Sequence, residues 1–280
     1  MTRLVNTIAD LRQALADLRT ASIGPNPIGM VPTMGALHDG HLSLVNEARR
    51  HAAHVVVSIF VNPTQFAPHE DFDAYPRTLD ADLQTLDGAA AVVFAPTARE
   101  MYPDGDATRI TVGGPAAGLE SDFRPHFFSG VATVVAKLLI AAAPDIAVFG
   151  EKDYQQLLVV KRLARDLALP TRILGAPTQR EPDGLARSSR NAYLSPPQRQ
   201  VAGRMSGILK DAAARARQDG IAAAEAAGAA SLRTAGFDSV DYVAIRDAQT
   251  LAPLTTLDRP ARILAAAKIG ATRLIDNFEV

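Results

Sequence analysis

Cysteine is absent from this chain, so neither disulfide bridges nor thiolate-bound zinc can take part in its fold or chemistry. No excess of one charge sign is present either. The 29 basic and 30 acidic residues leave a formal net charge of −1, which gives no bulk attraction for nucleic acid or an anionic membrane. A local basic cluster can still hold a small anion. Long apolar runs are also missing: the most apolar stretch, GVATVVAKLLIAAAP at 130–144, is interrupted by Lys137 and is too short to span a bilayer. The N-terminal MTRLVNTIADLRQALADLR alternates charged and apolar positions and reads as a short strand and an amphipathic helix, not as a signal peptide. No internal repeat is evident. Together these absences point to a soluble, cytoplasmic protein with no nucleic-acid and no membrane partner. Six histidines and many carboxylates remain as ligands for metals other than thiolate-bound zinc.

What is present is apolar residues in a particular order. They make up 48% of 280 residues, enough for a large core in one or two domains. IGMVP (28–32), VVVSIFV (55–61), AVVFA (91–95), IAVFG (146–150) and TRILG (171–175) are strand-like. HLSLVNEARRHAA, TLDADLQTLDG, GVATVVAKLLIAAA and YQQLLVVKRLARDL lie between them with helical spacing. Continuously apolar strands separated by helices predict an α/β fold, a doubly wound, mostly parallel sheet covered on both faces. The polar, arginine-rich segment PTQREPDGLARSSRNAYLSPPQRQ at 177–200 reads either as a linker or as a loop folded over a site. Alanine-rich helical stretches and two strand-like stretches follow it. The expected division is a Rossmann-like domain over 1–184 and a smaller α+β C-terminal domain over 185–280.

Ligands of a parallel sheet gather beyond the carboxyl ends of its strands, where PTMGALHDGHLSLV (32–45) lies. Gly35 and Gly40 can admit tight backbone geometry or a close ligand, and a helix starting near His41 directs N–H groups toward the loop. His38 and His41, three apart, can present ring nitrogens on one side. The stretch matches neither the lysine–serine phosphate loop nor the glycine fingerprint for dinucleotides. A histidine in such a turn can also be a simple cap, so geometry alone leaves an anion site and an ordinary strand–helix turn both open.

PTMGALHDGHLSLV resembles the signature of the pantothenate synthetase (pantoate–β-alanine ligase) family, within the nucleotidyl-transferring superfamily marked by a His-x-Gly-His (HIGH-type) turn. SIFVNPTQF (58–66), DFDAYPRTLDAD (71–82), FGEKDYQQL (149–157) and REPDGLARSSRNAYLS (180–195) match the same family in the expected order, over essentially the whole chain.

The resemblance implies roles residue by residue. Pro32, Thr33, Met34, Gly35 and Gly40 would line the ATP site with His38 and His41. Gly150 would admit the nucleotide, Lys152 would reach the ATP phosphates, and Asp153 would lie on the nucleotide side or near magnesium. Ser188, Ser189 and Arg190 would grip phosphates as the site closes, with Arg187 contributing through its backbone where the family carries an apolar residue. Met34, Asn62, Gln65, Tyr75 and Gln156 would hold or wall the pantoate. Asp82 is a further candidate for amine or metal binding. One segment departs from the pattern: RPHFFSGV (124–131) puts Phe127 where the family has a histidine, with His126 beside it as a replacement that would have to swing in.

The implied reaction is ATP-dependent condensation of pantoate with β-alanine through a pantoyl adenylate, giving pantothenate, AMP and pyrophosphate. Mg²⁺ is the implied metal, and a homodimer the implied assembly. His38, His41, Lys152 and Arg190 are expected to provide positive or donating groups around the phosphates. Two other classes compete. A nucleotidyltransferase acting on a phosphorylated small molecule would need a second cationic pocket, which the amides of NPTQF and KDYQQ do not suggest. A non-catalytic adenine-nucleotide sensor finds its foothold in the altered RPHFF segment.

Overall fold

The computed structural model describes residues 2–21, 23–67, 72–103 and 107–280. Strand β1 (Arg3–Val5) and helix α1 (Ile8–Thr20) open the chain, followed by β2 (Ile28–Thr33), α2 (Asp39–His51) and β3 (His54–Ile59). Next come α3 (Leu79–Leu86), β4 (Val92–Phe94) and two short helices, α4 (Ala98–Met101) and α5 (Glu120–Phe123). Helices α6 (Phe127–Ala142) and α7 (Tyr154–Asp166) flank β5 (Ile146–Gly150), and β6 (Arg172–Ala176) completes the first sheet.

All the pairings are parallel, and the strands stand in the order β1-β4-β3-β2-β5-β6. Side chains alternate across each strand, and both faces are buried. Met30, Val56, Phe94 and Phe149 pack under α1, α6 and α7, whereas Val31, Val57, Val93 and Val148 pack under α2 and α3. This is why the strands read as unbroken apolar runs. The order reverses between β2 and β5, and such a switch point opens a crevice beyond the strand ends. The β2–α2 turn and the β5–α7 turn both empty into it.

The C-terminal part is built from α8 (Pro196–Ala202), α9 (Met205–Asp219), α10 (Ile221–Ala235) and an antiparallel sheet, β7 (Ser239–Asp247), β8 (Ala261–Ile269) and β9 (Thr272–Glu279). Its own core begins at Leu185 and gathers Leu209, Leu232, Ile263 and Ala265 between α9, α10 and the sheet. The other face of β8 is covered too. Leu264 packs with Leu119 and Leu158 of the first unit. A central strand covered on both faces explains the apolar run ARILAAAKI. Polar groups add a second seam between the units. Glu120 of α5 takes a bidentate pair from Arg273 of β9 at 2.7 and 2.8 Å and the Tyr242 hydroxyl at 2.7 Å.

Three local details differ from the sequence reading. Helix α2 starts at Asp39, two residues earlier than expected, because His38 itself serves as N-cap. Helix α6 starts at Phe127, earlier than the GVATVV stretch, because its apolar surface extends back through Phe128. The segment 177–200 is structured: Arg180 and Ala186 form an antiparallel bridge, and Ser189–Tyr193 makes a 3-10 turn.

Candidate active site

The His38–His41 turn is built from its own hydrogen bonds. The N–H of Gly40 donates to Nδ1 of His38 at 3.1 Å, and the N–H of His38 donates to Nδ1 of His41 at 3.3 Å. Each side chain thus satisfies a backbone N–H at the helix start. With Nδ1 accepting, the neutral ring carries its proton on Nε2, the donor each histidine can offer the cavity. The rings lie 4.1 Å apart. Burial pushes the His41 pKa down to about 3, helped by His38 and Lys152. His38 is lowered by burial, then by Lys152 and Arg187. Of the two forms the sequence left open, positive or donating, both shifts favour the neutral, donating ring.

Two glycines make this turn possible. Gly35 has φ +84°, and a Cβ there would meet Asp82 at 3.0 Å. Gly40 has no room beside His38, whose ring atoms would lie 2.7 and 2.8 Å from an added Cβ.

Asp82 turns out to hold the loop from beneath. Its buried carboxylate accepts the N–H groups of Ala36 and Leu37 at 3.0 and 2.8 Å and the Thr78 hydroxyl at 3.3 Å. Those bonds draw on both oxygens and make Asp82 a support of the turn. Asn62 is likewise directed inward. Its Oδ1 accepts from the Tyr102 hydroxyl at 2.7 Å and from the N–H and hydroxyl of Thr64, while Nδ2 donates to Gly130 O and to Gln65 Oε1. It lines the cavity, but its amide is engaged in orienting Gln65. Gln65 Nε2 in turn points to Met34 Sδ at 3.1 Å.

A single cavity of about 930 Å³ receives these groups. Pro32, Thr33, Met34, Gly40, His38 and His41 line one wall, and Gly150, Lys152, Asp153 and Gln156 another. Arg187, Ser188, Ser189 and Arg190 come from the third. Asn62, Gln65 and Tyr75 sit on the wall near Met34, while Gly35 and Asp82 stand behind it. Lys152 acts electrostatically on both histidines and lies 3.9 Å from Asp153. The buried Tyr75 reaches Ser189 with its hydroxyl at 3.3 Å, and Arg190 lies 5.9 Å from its ring. The Gln156 side chain has no hydrogen-bond partner among the described residues, unlike that of Gln155, which is fastened to Pro115, Gly118 and Glu120.

Arg187 does more than lend its backbone. Its guanidinium crosses to Asp39 at the start of α2 and lies 3.5 Å from Glu181, joining the 177–200 segment to the histidine turn. The departure at 124–131 is also resolved. Phe127 lines the cavity with the Arg124 guanidinium 3.8 Å over its ring, while His126 stays exposed at the start of α6. Among the described residues no imidazole takes the histidine slot; a stacked arginine fills that part of the wall. Sequence reasoning gave no role to Arg124, Glu120 or Arg273, whose only signal was their charge near glycine- and proline-bearing turns.

Among the described residues, no three potential ligands cluster to form a metal site. Among the described residues of the cavity wall, Glu120 and Asp276 are paired with arginines, which leaves Asp153, 3.9 Å from Lys152, as the carboxylate that no arginine engages. One carboxylate is compatible with Mg²⁺, which is commonly held mainly by substrate phosphates and water.

A doubly wound sheet with a His-x-Gly-His helix start at its switch point, facing a lysine and a Ser-Ser-Arg segment, defines an α/β protein of the nucleotidyl-transferring class. The comparisons go further. The model of the pantoate–β-alanine ligase family matches residues 3–279. The chain is 58% identical to the pantothenate synthetase of Mesorhizobium japonicum, covering 99% of this chain and 97% of that one. It is 55% identical to that of Rhodopseudomonas palustris strain HaA2, over 99% and 98% of the two chains. The crystal structure of pantothenate synthetase from Thermus thermophilus superposes with a TM-score of 0.90 at 48% identity, over 99% of both chains. A Francisella tularensis pantoate–β-alanine ligase complexed with β,γ-ATP and β-alanine gives 0.81 at 36%, over 100% of this chain and 98% of that one. The chain belongs to the pantoate–β-alanine ligase family.

Proposed function

We propose that this protein joins pantoate to β-alanine at the expense of ATP, giving pantothenate, AMP and pyrophosphate. The observation that carries the reading is the convergence on one cavity of His38, His41, Lys152, the Ser188–Arg190 segment and the amides of Gln65 and Gln156. In the first step a pantoate carboxylate oxygen bonds to the α-phosphorus of ATP, and the bond to the bridging oxygen breaks, so that pyrophosphate leaves. In the second, the neutral amine of β-alanine attacks the acyl carbon, AMP leaves with the electron pair of the broken C–O bond, and the nitrogen releases a proton.

The physical problem of the first step is bringing a carboxylate to a polyanion. Lys152 and Arg190 offset that repulsion with full charge, while the two imidazole Nε2–H groups and the hydroxyls of Ser188 and Ser189 supply fixed donors. Neutral imidazoles suit the role because their N–H groups are already oriented by the backbone bonds at Nδ1 and need no reorganisation as charge moves. Gln65 and Gln156 hold the hydroxy acid. Such alignment of two reactants is worth roughly 7–11 kcal/mol at its upper limit. Asp153 would hold Mg²⁺, which when bound neutralises charge on the phosphate oxygens. We read residues 1–184 as the ATP- and pantoate-binding unit and 185–280 as the unit that closes over it and excludes water from the acyl adenylate. A cytoplasmic homodimer completes the reading. No helix of the described residues is long and apolar enough to cross a membrane.

Mass detection of pantothenate and AMP from ATP, pantoate, β-alanine and Mg²⁺ tests the reaction. ATP binding without either product would abandon it in favour of a nucleotide sensor.

A further inference from the structure

The sequence RLIDNFEV ends β9, and its Asp276–Asn277 pair is buried at the cavity wall although the reaction assigns it nothing. Asn277 faces the β5–α7 turn. Its Nδ2 donates to the backbone oxygens of both Glu151 and Lys152, each at 2.9 Å. Its Oδ1 accepts from Arg262 Nε at 2.6 Å, so the amide cannot flip without losing all three bonds. Arg262 is fixed in turn, with its guanidinium 4.0 Å over the ring of Tyr154. Asp276 holds the other segment. It pairs bidentately with Arg180 at 2.7 and 2.8 Å, and Arg180 also donates to Gly184 O in the turn of the hairpin leading to Ser188.

We propose that Asn277, oriented by Arg262, is a positioning residue for adenylate formation: it sets the turn that presents Lys152 to the ATP phosphates. The inference rests on the reaction proposed above. Asn277 is suited to the task because one planar amide reads two successive carbonyl oxygens, an arrangement that fixes both the position and the tilt of the turn. A carboxylate there would face two carbonyls with no donor, and an alanine would release both. Neighbouring Asp276 fastens that hairpin through Arg180, so two adjacent residues of β9 tie the lysine turn and the serine segment to one strand.

The test separates the two half-reactions in the full-length protein. Asn277→Ala should slow pantoyl adenylate formation, followed by rapid quench, on the order of 100-fold, the scale expected when a reacting group shifts by about 1 Å. Attack of β-alanine on supplied pantoyl adenylate should stay within about twofold, because Lys152 serves the phosphates. In a Lys152→Ala background the same substitution should add less than about threefold, since the two act as one unit. Asn277→Ser, which keeps one donor and a smaller defect, should show an intermediate loss and provides the readout if the alanine variant does not fold. Equal losses in both half-reactions, undiminished loss without Lys152, or an unchanged rate in a folded variant would each overturn the proposal. Wild-type protein that forms no pantothenate would overturn the underlying reaction and this inference with it; an active wild type confines any failure to the inference.

Discussion

The backbone N–H of His38 donates to the ring of His41 at 3.3 Å, so one histidine is capped by the other. This bond makes the pair a structural unit as well as a chemical one, and substitutions must be chosen to separate the two roles. His38→Asn keeps a side-chain acceptor for the Gly40 N–H but removes the Nε2–H donor. We expect it to retain the wild-type melting temperature within a few degrees while adenylate formation falls about 100- to 1,000-fold, the range for loss of one fixed donor. His38→Ala should lose the same rate and additionally about 1 kcal/mol of stability through the missing cap. Rapid-quench assays beside thermal melts check both; an unchanged rate in His38→Asn would remove the donor role.

The depressed pKa of His41 has a stability consequence. The native ring stays neutral down to about pH 3, whereas in the unfolded chain it takes up a proton near pH 6.5. Below that point the unfolded state binds more protons, so stability is full above about pH 6.5 and falls as pH drops toward 3. The contribution reaches a few kcal/mol at the acid end. Urea midpoints measured between pH 7.5 and pH 5 should decline, and His41→Gln should show a shallower decline. Parallel curves for the two proteins would contradict the assignment.

Gly40→Ala offers an unusual sign. Alanine in a helix normally gains up to about 1 kcal/mol over glycine. Here the added methyl would collide with His38 ring atoms at 2.7 and 2.8 Å. The expected result is a melting temperature little changed, with kcat lowered about tenfold or more because the ring is pushed from its position. Steady-state kinetics and a thermal melt decide it; a wild-type kcat would show that the ring has slack.

Arg187→Met tests the bridge to Asp39. The pair is partly exposed at the aspartate, so its loss should cost no more than about 1 kcal/mol. Removing the guanidinium takes away one of the causes that depress His38, and the His38 pKa should move up toward its usual value. An NMR titration of the imidazole resonances reads this directly. An unmoved His38 would show that burial and Lys152 act alone.

Glu120→Ala should be the most destabilising of these changes. It leaves Arg273, largely buried, with Asp241 as its remaining carboxylate and takes the acceptor from the Tyr242 hydroxyl. Breaking such a buried pair costs about 3 kcal/mol or more. Chemical denaturation would show it, and a loss below about 1 kcal/mol would mean that the seam between the two units rests on Leu264 and its apolar neighbours alone.

The strands and the histidine turn were legible in the sequence because each is a local pattern: an unbroken apolar run, or two rings three residues apart on a helix start. IAVFG is a strand at the residues expected. What could not be read are contacts between residues far apart in the chain. Asp82 accepts the N–H groups of Ala36 and Leu37, 46 and 45 residues away, a supporting role that its place in DFDAYPRTLDAD does not announce. Asn62 reaches Gly130 across 68 residues, and Arg187 reaches Asp39 across 148. A polar side chain pointing at a backbone group has no sequence signature that distinguishes it from one pointing at a substrate. The stack of Arg124 on Phe127 was hidden for a different reason: a histidine slot filled by phenylalanine reads as a loss, although the aromatic face gives a neighbouring cation a new seat.

The reversal of strand order at β2 has a consequence for how the molecule comes to exist. On one side β2 pairs with the strand that follows it; on the other, the Ile28 N–H reaches the Asp145 carboxylate across 117 residues. Closing so large a loop costs conformational entropy that the local β2–β3 pairing does not. Until it happens, a β2–β3–β4 fragment has an open hydrogen-bonding margin and no crevice at all. The crevice therefore exists only in molecules whose central seam is shut, and ATP that binds there would stabilise those molecules over the open fragment.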